Sequence, residues 1–500
     1  MDARLVALIS LLVTALVYVR RKAARGPAPP GPPQIPIIGN ILPEEAPWEG
    51  IRQFSLKYGP VITLRVLSTN IYAVNTVAAA AELCEVRSSV YSQRNPMKML
   101  DLCGFNEGIL FETNVTHLRQ ARKLVASGIG PRELDKYRPQ LRAHIVTFLG
   151  HILHAPEQFL DHIRDLPIGI MLEIVYGYKT TEKKDPFILG ADILVHNYAK
   201  ASAISDFLVN WLPFMAYIPS WVPGAGFQKT ALAWKTQGDT YTEETFQYVL
   251  KSVANGTAVP SVVSKALESK EAYKRHVIAK SAMQMVSGGA DTTVSASETF
   301  ILAMLLHPEV QKLAHEEIDR VVGTERLPTY ADRPNLPYIE AIMKEALRWH
   351  PPVPVVPRTS TKDDVYEGYF LPEGSFIMIN FWAMLHNDEA FPEPMSFKPE
   401  RWLDVQLTKE IDPLGIAFGF GRRECPGKIM AIELVFTVFV NILAVFDIVK
   451  VRDANGEEIT PPENYTNGSI TAPLPFKADF KVRSTQALQV LQQDLEEVGR

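Results

Sequence analysis

Cysteine is scarce. The 500 residues hold three, Cys84, Cys103 and Cys425, too few and too widely spaced for a disulfide framework or a four-cysteine zinc site, and the expected setting is reducing. A surplus of positive charge is also lacking: 51 Lys and Arg stand against 56 Asp and Glu, a net charge of -5. A chain that neutralises phosphates needs the opposite balance, which argues against nucleic-acid binding. No Gly-x-Gly-x-x-Gly loop follows a strand-like run, so no dinucleotide site is read in the chain itself. Residues 37–483 contain no second proline-rich, glycine-serine or charged linker and no internal repeat. A prior of ~150 residues per domain suggests about three domains, but without linkers one large domain is the better reading. With 47% hydrophobic and 21% charged residues, disorder is excluded.

What is present begins at the N-terminus. Residues 5–19 (LVALISLLVTALVYV) carry no charge, and Arg20, Arg21, Lys22 and Arg25 follow. Such a run covers about 22 Å of a ~30 Å hydrocarbon core, so a span draws on Met1, Asp2 and a snorkelling Arg4. A cleaved signal peptide would place its basic residues before the apolar run. The observed order predicts an uncleaved N-terminal membrane anchor with its basic flank over residues 1–25 and a cytosolic body. Residues 26–36 (GPAPPGPPQIP) hold six prolines, which predicts an extended, semi-rigid hinge. The sequons at Asn114, Asn255, Asn464 and Asn467 are then chance matches. The body, residues 37–483, reads as mainly α with a minor β part, followed by a C-terminal tail over 484–500. Residues 308–322 have helical apolar spacing after Pro308 and before Gly323, and residues 61–66, 71–74 and 375–380 are strand-like.

Of the cysteines, Cys425 has the distinctive surroundings, FGFGRRECPG over residues 418–427, ahead of an apolar helix at 429–446. Glycines at 419, 421 and 427 permit close approach of backbone and cofactor, and Arg422 and Arg423 supply positive charge that favours a thiolate. This decapeptide resembles the signature of the cytochrome P-450 family, the haem-thiolate monooxygenases, Phe-x-x-Gly-x-Arg-x-Cys-x-Gly, through Phe418, Gly421, Arg423, Cys425 and Gly427. The resemblance implies haem b with Cys425 as the axial iron ligand, Arg423 on a haem propionate and Phe418 packed on the thiolate side.

Three further motifs agree in order. Glu345 and Arg348 share a helix face, and the resemblance joins them to Arg401 of Pro399-Glu400-Arg401-Trp402 in a buried, structural charge cluster. Gly288-Gly289-Ala290-Asp291-Thr292-Thr293 resembles the family's distal helix motif. Thr292 is expected to bond back to the Gly288 carbonyl and open room there; the implied roles are a distal hydrogen bond from Thr292 and proton relay from solvent by Asp291. Residues 116–123 (THLRQARK) correspond to the family's Trp-Arg-x-x-Arg helix, with Leu118 replacing the Trp. Without that indole, Arg119 and Arg358 are expected to hold the propionates together with Arg423.

The implied reaction is insertion of one oxygen atom of O2 into a hydrophobic small molecule, terpenoid or polyketide-like, with NADPH electrons delivered by a separate membrane-bound cytochrome reductase, with cytochrome b5 as an additional donor. Arg122 and Lys123 are expected on the docking face. The family's substrate regions correspond here to Phe105, Met283, Val286, Ala290, Val353, Val355 and Ile470, and Trp211, Phe214, Tyr217 and Trp221 are read as core or as dipping into lipid. The setting would be the endoplasmic reticulum membrane, and the overall appearance is closest to fungal members that oxidise secondary metabolites. Alternatives are an O2-independent haem-thiolate isomerase or dehydratase, and a membrane-tethered haem carrier or sensor.

Overall fold

The computed structural model describes residues 26–94, 97–180, 185–203, 206–269, 273–403, 405–408 and 410–499; the anchor expected over residues 1–25 lies outside the described residues. Runs of β-branched residues make strands β1 (Val61–Val66) and β2 (Thr69–Val74), which form an antiparallel hairpin, Val66 opposite Thr69. The four-stranded sheet has the order β1-β2-β6-β3, with β3 at Val355–Thr359 and β6 at Phe376–Asn380. β2 and β6 run parallel, and β3 is antiparallel to β6. Two small ribbons pair β4 (Asp364–Tyr366) with β5 (Tyr369–Leu371), and β7 (Phe446–Val449) with β8 (Asp479–Val482).

Helices fill the rest. In chain order, those that place the site are α1 (Pro47–Tyr58), α2 (Val115–Ile129), α3 (Pro131–His154), α4 (Phe159–Tyr176), α5 (Pro186–Ser202) and α6 (Phe227–Ala254). They continue with α7 (Arg275–Leu306), α8 (Pro308–Val321), α9 (Pro337–Trp349), α10 (Lys428–Val445) and α11 (Thr485–Gly499). Asn114 is the N-cap of α2, its Oδ1 accepting from the Thr116 and His117 N–H groups. That capping role accounts for an asparagine here without glycosylation.

α7 is the axis of the molecule. Its 32 residues span about 48 Å and are apolar nearly all round, as a helix buried on every side must be. Between Ser281 and Leu305 only Gly288, Gly289, Asp291 and Thr292 are less than fully buried, and all four belong to the distal motif, within little more than one helical turn. α10 is the one helix among the described residues long and apolar enough to cross a membrane, and it lies mostly inside the core.

Two segments differ from their expected description. The proline stretch is extended, but it is no free-standing spacer. The Pro30 carbonyl accepts from the Thr63 N–H of β1 at 2.8 Å, and the Pro27 carbonyl accepts from Phe370 of β5 at 2.8 Å. Proline lacks an N–H yet keeps its carbonyl, so such a run can line a sheet edge as an acceptor. Residues 485–499, expected as tail, form α11, whose Val490 and Leu491 are buried and whose Asp494 pairs with Arg142 of α3 at 2.8 Å.

Candidate active site

The loop before α10 is shaped round Cys425. The Cys425 N–H donates to the Phe418 carbonyl at 2.8 Å, folding the decapeptide back on itself. Gly421 turns it at φ +62°, and a Cβ there would lie 2.1 Å from the Cys84 carbonyl oxygen, so no other residue fits. Cys425 is exposed as a residue although chain encloses it on most sides. That enclosure pushes its thiol pKa up, opposed by the Gly427 N–H, Arg122 and Lys428, while Glu424 reinforces the rise. An accessible sulfur with backbone and cationic support is the arrangement of a thiolate ligand.

Four guanidiniums converge beside this loop. Arg423 donates to the carbonyls of Ser92 (2.8 Å), Ile109 (3.3 Å) and Glu112. Arg358 of β3 reaches Phe420 (2.8 Å) and Tyr91 (3.4 Å). Arg94 reaches Leu110 and Pro357, each at 3.0 Å, and Arg122 reaches Glu424 at 3.1 Å. All are carbonyl partners; among the described residues none of the four is in an ion pair. Desolvation first, then mutual repulsion, depresses Arg94 and Arg423, the latter to about 10. Desolvation likewise lowers Arg358, whose buried Nε has no acceptor. Buried cations are normally matched by anions. The two propionates of haem fit this set, and the donor chemistry of Cys425 fits its iron.

The sequence reading missed Arg94, which no motif marks, and misassigned α2. Arg119 is exposed. Arg122, expected on a docking face, instead turns its guanidinium to the Cys425 loop. The two are three residues apart, about 60° round a helix, and of the pair it is Arg122 that the Glu424 carbonyl holds.

On the other side stands α7. The Thr292 hydroxyl donates to the Gly288 carbonyl at 2.8 Å, and Thr293 to Gly289 at 2.8 Å, the back-bonding that loosens a helix. A Cβ on Gly288 would touch nothing within 4 Å, whereas one on Gly289 would meet Met171 of α4 at 3.0 Å. One glycine thus faces open space and its neighbour close packing. Asp291 lies 4.0 Å from Arg164 Nη1, which also pairs with Asp192 at 3.0 Å. Burial raises the Asp291 carboxyl to about 6, against the pull of Arg164. A carboxyl titrating near there can both give and take a proton.

Beneath, Glu345 is fully buried and fully paired. It takes Arg348 Nε (2.8 Å) and Nη2 (2.9 Å), Arg401 Nε (3.0 Å), the Trp402 indole (2.9 Å) and the Lys398 N–H (2.8 Å). Arg348 adds the carbonyls of Leu385, Pro394 and Ser396.

The expected substrate residues divide. Phe105, Met283, Val286 and Ala290 are sealed in the apolar core with at most 1% of their surface accessible, so a ligand would reach them only after repacking. They correct the expectation. Helical positions 283, 286 and 290 fall on the packed side of α7, away from Gly288. Val353, Val355 and Ile470 retain accessible surface. Trp211 is core, packed with Ile51, Ile62 and Phe376, while Phe214, Tyr217 and Trp221 are exposed.

Comparison with known proteins shows the family. The cytochrome P450 family profile matches residues 29–480. Cytochrome P450 monooxygenase 208 of Postia placenta is 36% identical over 490 residues, covering 96% of this chain and 95% of the relative. Cytochrome P450 monooxygenase claR of Ampulloclitocybe clavipes is 35% identical over 492 residues (97% and 91%), and cytochrome P450 monooxygenase COX1 of Coprinopsis cinerea is 35% identical over 511 residues (98% and 98%). The chain belongs to the cytochrome P450 family and is a monooxygenase of the kind that binds haem iron through a thiolate.

Proposed function

We propose that this cytochrome P450 oxidises a hydrophobic small molecule of terpenoid or polyketide type, using electrons that a separate reductase takes from NADPH. Bound through Cys425, the haem supplies activation of O2 so that one oxygen atom enters the substrate and the other leaves as water. Every other part belongs to the chain. Arg423, Arg358, Arg94 and Arg122 neutralise the propionates. Thr292 holds a hydroxyl on α7, bonded back to the Gly288 carbonyl. Asp291 passes protons inward from the solvent side, where Arg164 and Asp192 stand.

One observation carries this reading: an exposed cysteine in a glycine-turned loop, flanked by four guanidiniums that hydrogen-bond to backbone carbonyls and form no ion pair among the described residues. The membrane setting draws on a different one. Leu42 and Leu212 both pack on the cluster that holds Trp211, which brings the segment after the proline stretch beside residues 208–221. Around them Ile37 (83% exposed), Ile41, Phe214, Tyr217 (86%) and Trp221 (80%) offer an apolar surface, suited to a bilayer and to entry of an apolar substrate. The endoplasmic reticulum, a single N-terminal anchor, and a reductase or cytochrome b5 that docks on exposed basic residues such as Arg119 and Lys123 complete the proposal.

The test is optical and isotopic. The purified chain with haem should give the reduced, carbon monoxide-bound band of thiolate ligation and lose it in Cys425→Ser. With reductase, NADPH and isotopically labelled O2, a substrate found by optical titration should acquire the label. Persistence of the band in Cys425→Ser would overturn the site. Turnover without O2 would assign an isomerase or dehydratase. Haem that NADPH and reductase cannot reduce, with apolar ligands present, would assign a carrier.

A further inference from the structure

The chain segment between α7 and the arginines is built round one amide. Gln284 lies on α7 one turn before Gly288 and is buried. Its Oε1 accepts from the N–H groups of Ile109 (2.6 Å) and Leu110 (2.9 Å). Its Nε2 donates to the carbonyls of Glu107 (2.6 Å) and Phe105 (3.4 Å). A carboxamide offers two acceptor sites and two donor hydrogens, so the whole capacity of this side chain is taken up by one loop. The loop is moulded to it. Gly108 has φ +107°, and a Cβ there would lie 2.6 Å from Gln284 Oε1.

The carbonyls of the same residues turn the other way. Ile109 accepts from Arg423 at 3.3 Å, Leu110 from Arg94 at 3.0 Å, and Glu112 from Arg423. Ile109 and Leu110 are therefore clamped through both backbone groups, the N–H on the distal helix and the C=O on a guanidinium. We propose that Gln284 is a positioning residue: it locks loop 105–112 in one register, so that α7, the loop and the arginines form one rigid wall of the substrate space and limit the size of ligand admitted. The proposal rests on the reading of the site given above. Its physical reason is that two inward N–H groups without acceptors would drive the loop to a new arrangement.

The test uses the full chain with haem and three variants. Gln284→Leu keeps the volume and removes every hydrogen bond. Gln284→Glu keeps both acceptors for Ile109 and Leu110. Gly108→Ala displaces the amide from the loop side without touching α7. Amide hydrogen exchange is followed over residues 105–112, and binding of imidazole and of a bulky aryl-imidazole is titrated optically. Expected in Gln284→Leu are exchange about tenfold faster across the loop and a change of about fivefold in the ratio of the two affinities, with the thiolate band kept. Gly108→Ala should do the same, and Gln284→Glu should keep slow exchange at Ile109 and Leu110. Unchanged exchange in Gln284→Leu overturns the proposal. So does faster exchange with the affinity ratio unchanged, which would make Gln284 a support without influence on the site. If Gln284→Leu fails to fold, Gly108→Ala decides by the same readouts. A wild-type chain that takes up no haem defeats the functional reading, while the exchange comparison still judges the latch.

Discussion

Two clusters of charge, one centred on a fully buried carboxylate and one of buried and half-buried arginines, meet the same electrostatic problem in opposite ways. At Glu345 one carboxylate is surrounded by two arginines, an indole and a backbone N–H, and Arg348 fills its remaining donors with carbonyls. Round the Cys425 loop, four arginines meet only carbonyl oxygens and depress one another. The first cluster is complete within the polypeptide and holds α9 to the turn at Pro399–Trp402. The second has no ion pair among the described residues, with Glu112 and Glu424 acting on Arg423 and Arg122 only at longer range, and it is the one assigned above to the haem propionates. A buried charge paired by its own fold is a structural element; a buried charge left unpaired is a binding site.

Breaking the closed cluster should have the largest effect. Glu345→Ala leaves Arg348 buried without its counter-ion, and a loss of about 3–5 kcal/mol is expected, read as a lower denaturant midpoint and failure to retain haem. An unchanged midpoint would remove the contrast. The carboxyls of α7 are an intermediate case. Burial, the first cause, raises Glu298 to about 7 from 4.5, with Arg164 opposing. The folded state therefore keeps a proton that the unfolded chain releases, and stability should decline as pH rises from about 4.5 to 7. Glu298→Gln should flatten that decline and gain on the order of 1–3 kcal/mol at pH 8, checked by denaturant titration across pH.

Opening the second cluster should give a different sign. Arg358→Met removes one of the mutually repelling cations, so the haem-free protein should keep its stability or gain up to about 1 kcal/mol. The haem complex should lose haem about ten- to a hundredfold faster, as expected for one charge-assisted hydrogen bond. Equal destabilisation of both forms would make Arg358 structural. The smallest effect should be that of Arg119→Ala, within about 0.5 kcal/mol and with haem retention unaltered. Arg122→Ala, measured alongside, should speed haem loss.

Much of the frame was legible in the residues. β1 coincides with the expected 61–66, the helix expected at 308–322 ends one residue earlier, and the apolar helix expected at 429–446 is α10 at Lys428–Val445. These are local matters of β-branching, apolar period and proline position. The back-bond from Thr292 to Gly288 was legible for the same reason, since i and i−4 are neighbours in any helix. Arg94 and Gln284 were not. Neither belongs to a patterned motif, and their partners Pro357, Ile109 and Leu110 lie far along the chain.

The amino-acid order alone determined the family and the helical character of the body and marked the sulfur proposed to bind iron, because each is written in short runs whose geometry depends on nearest neighbours. Which arginine of α2 turns inward, which α7 residues stay accessible, and that the proline stretch and the last helix dock on the body were decided only by packing. Those outcomes depend on which distant surfaces exclude water together, and on where a buried donor finds its acceptor.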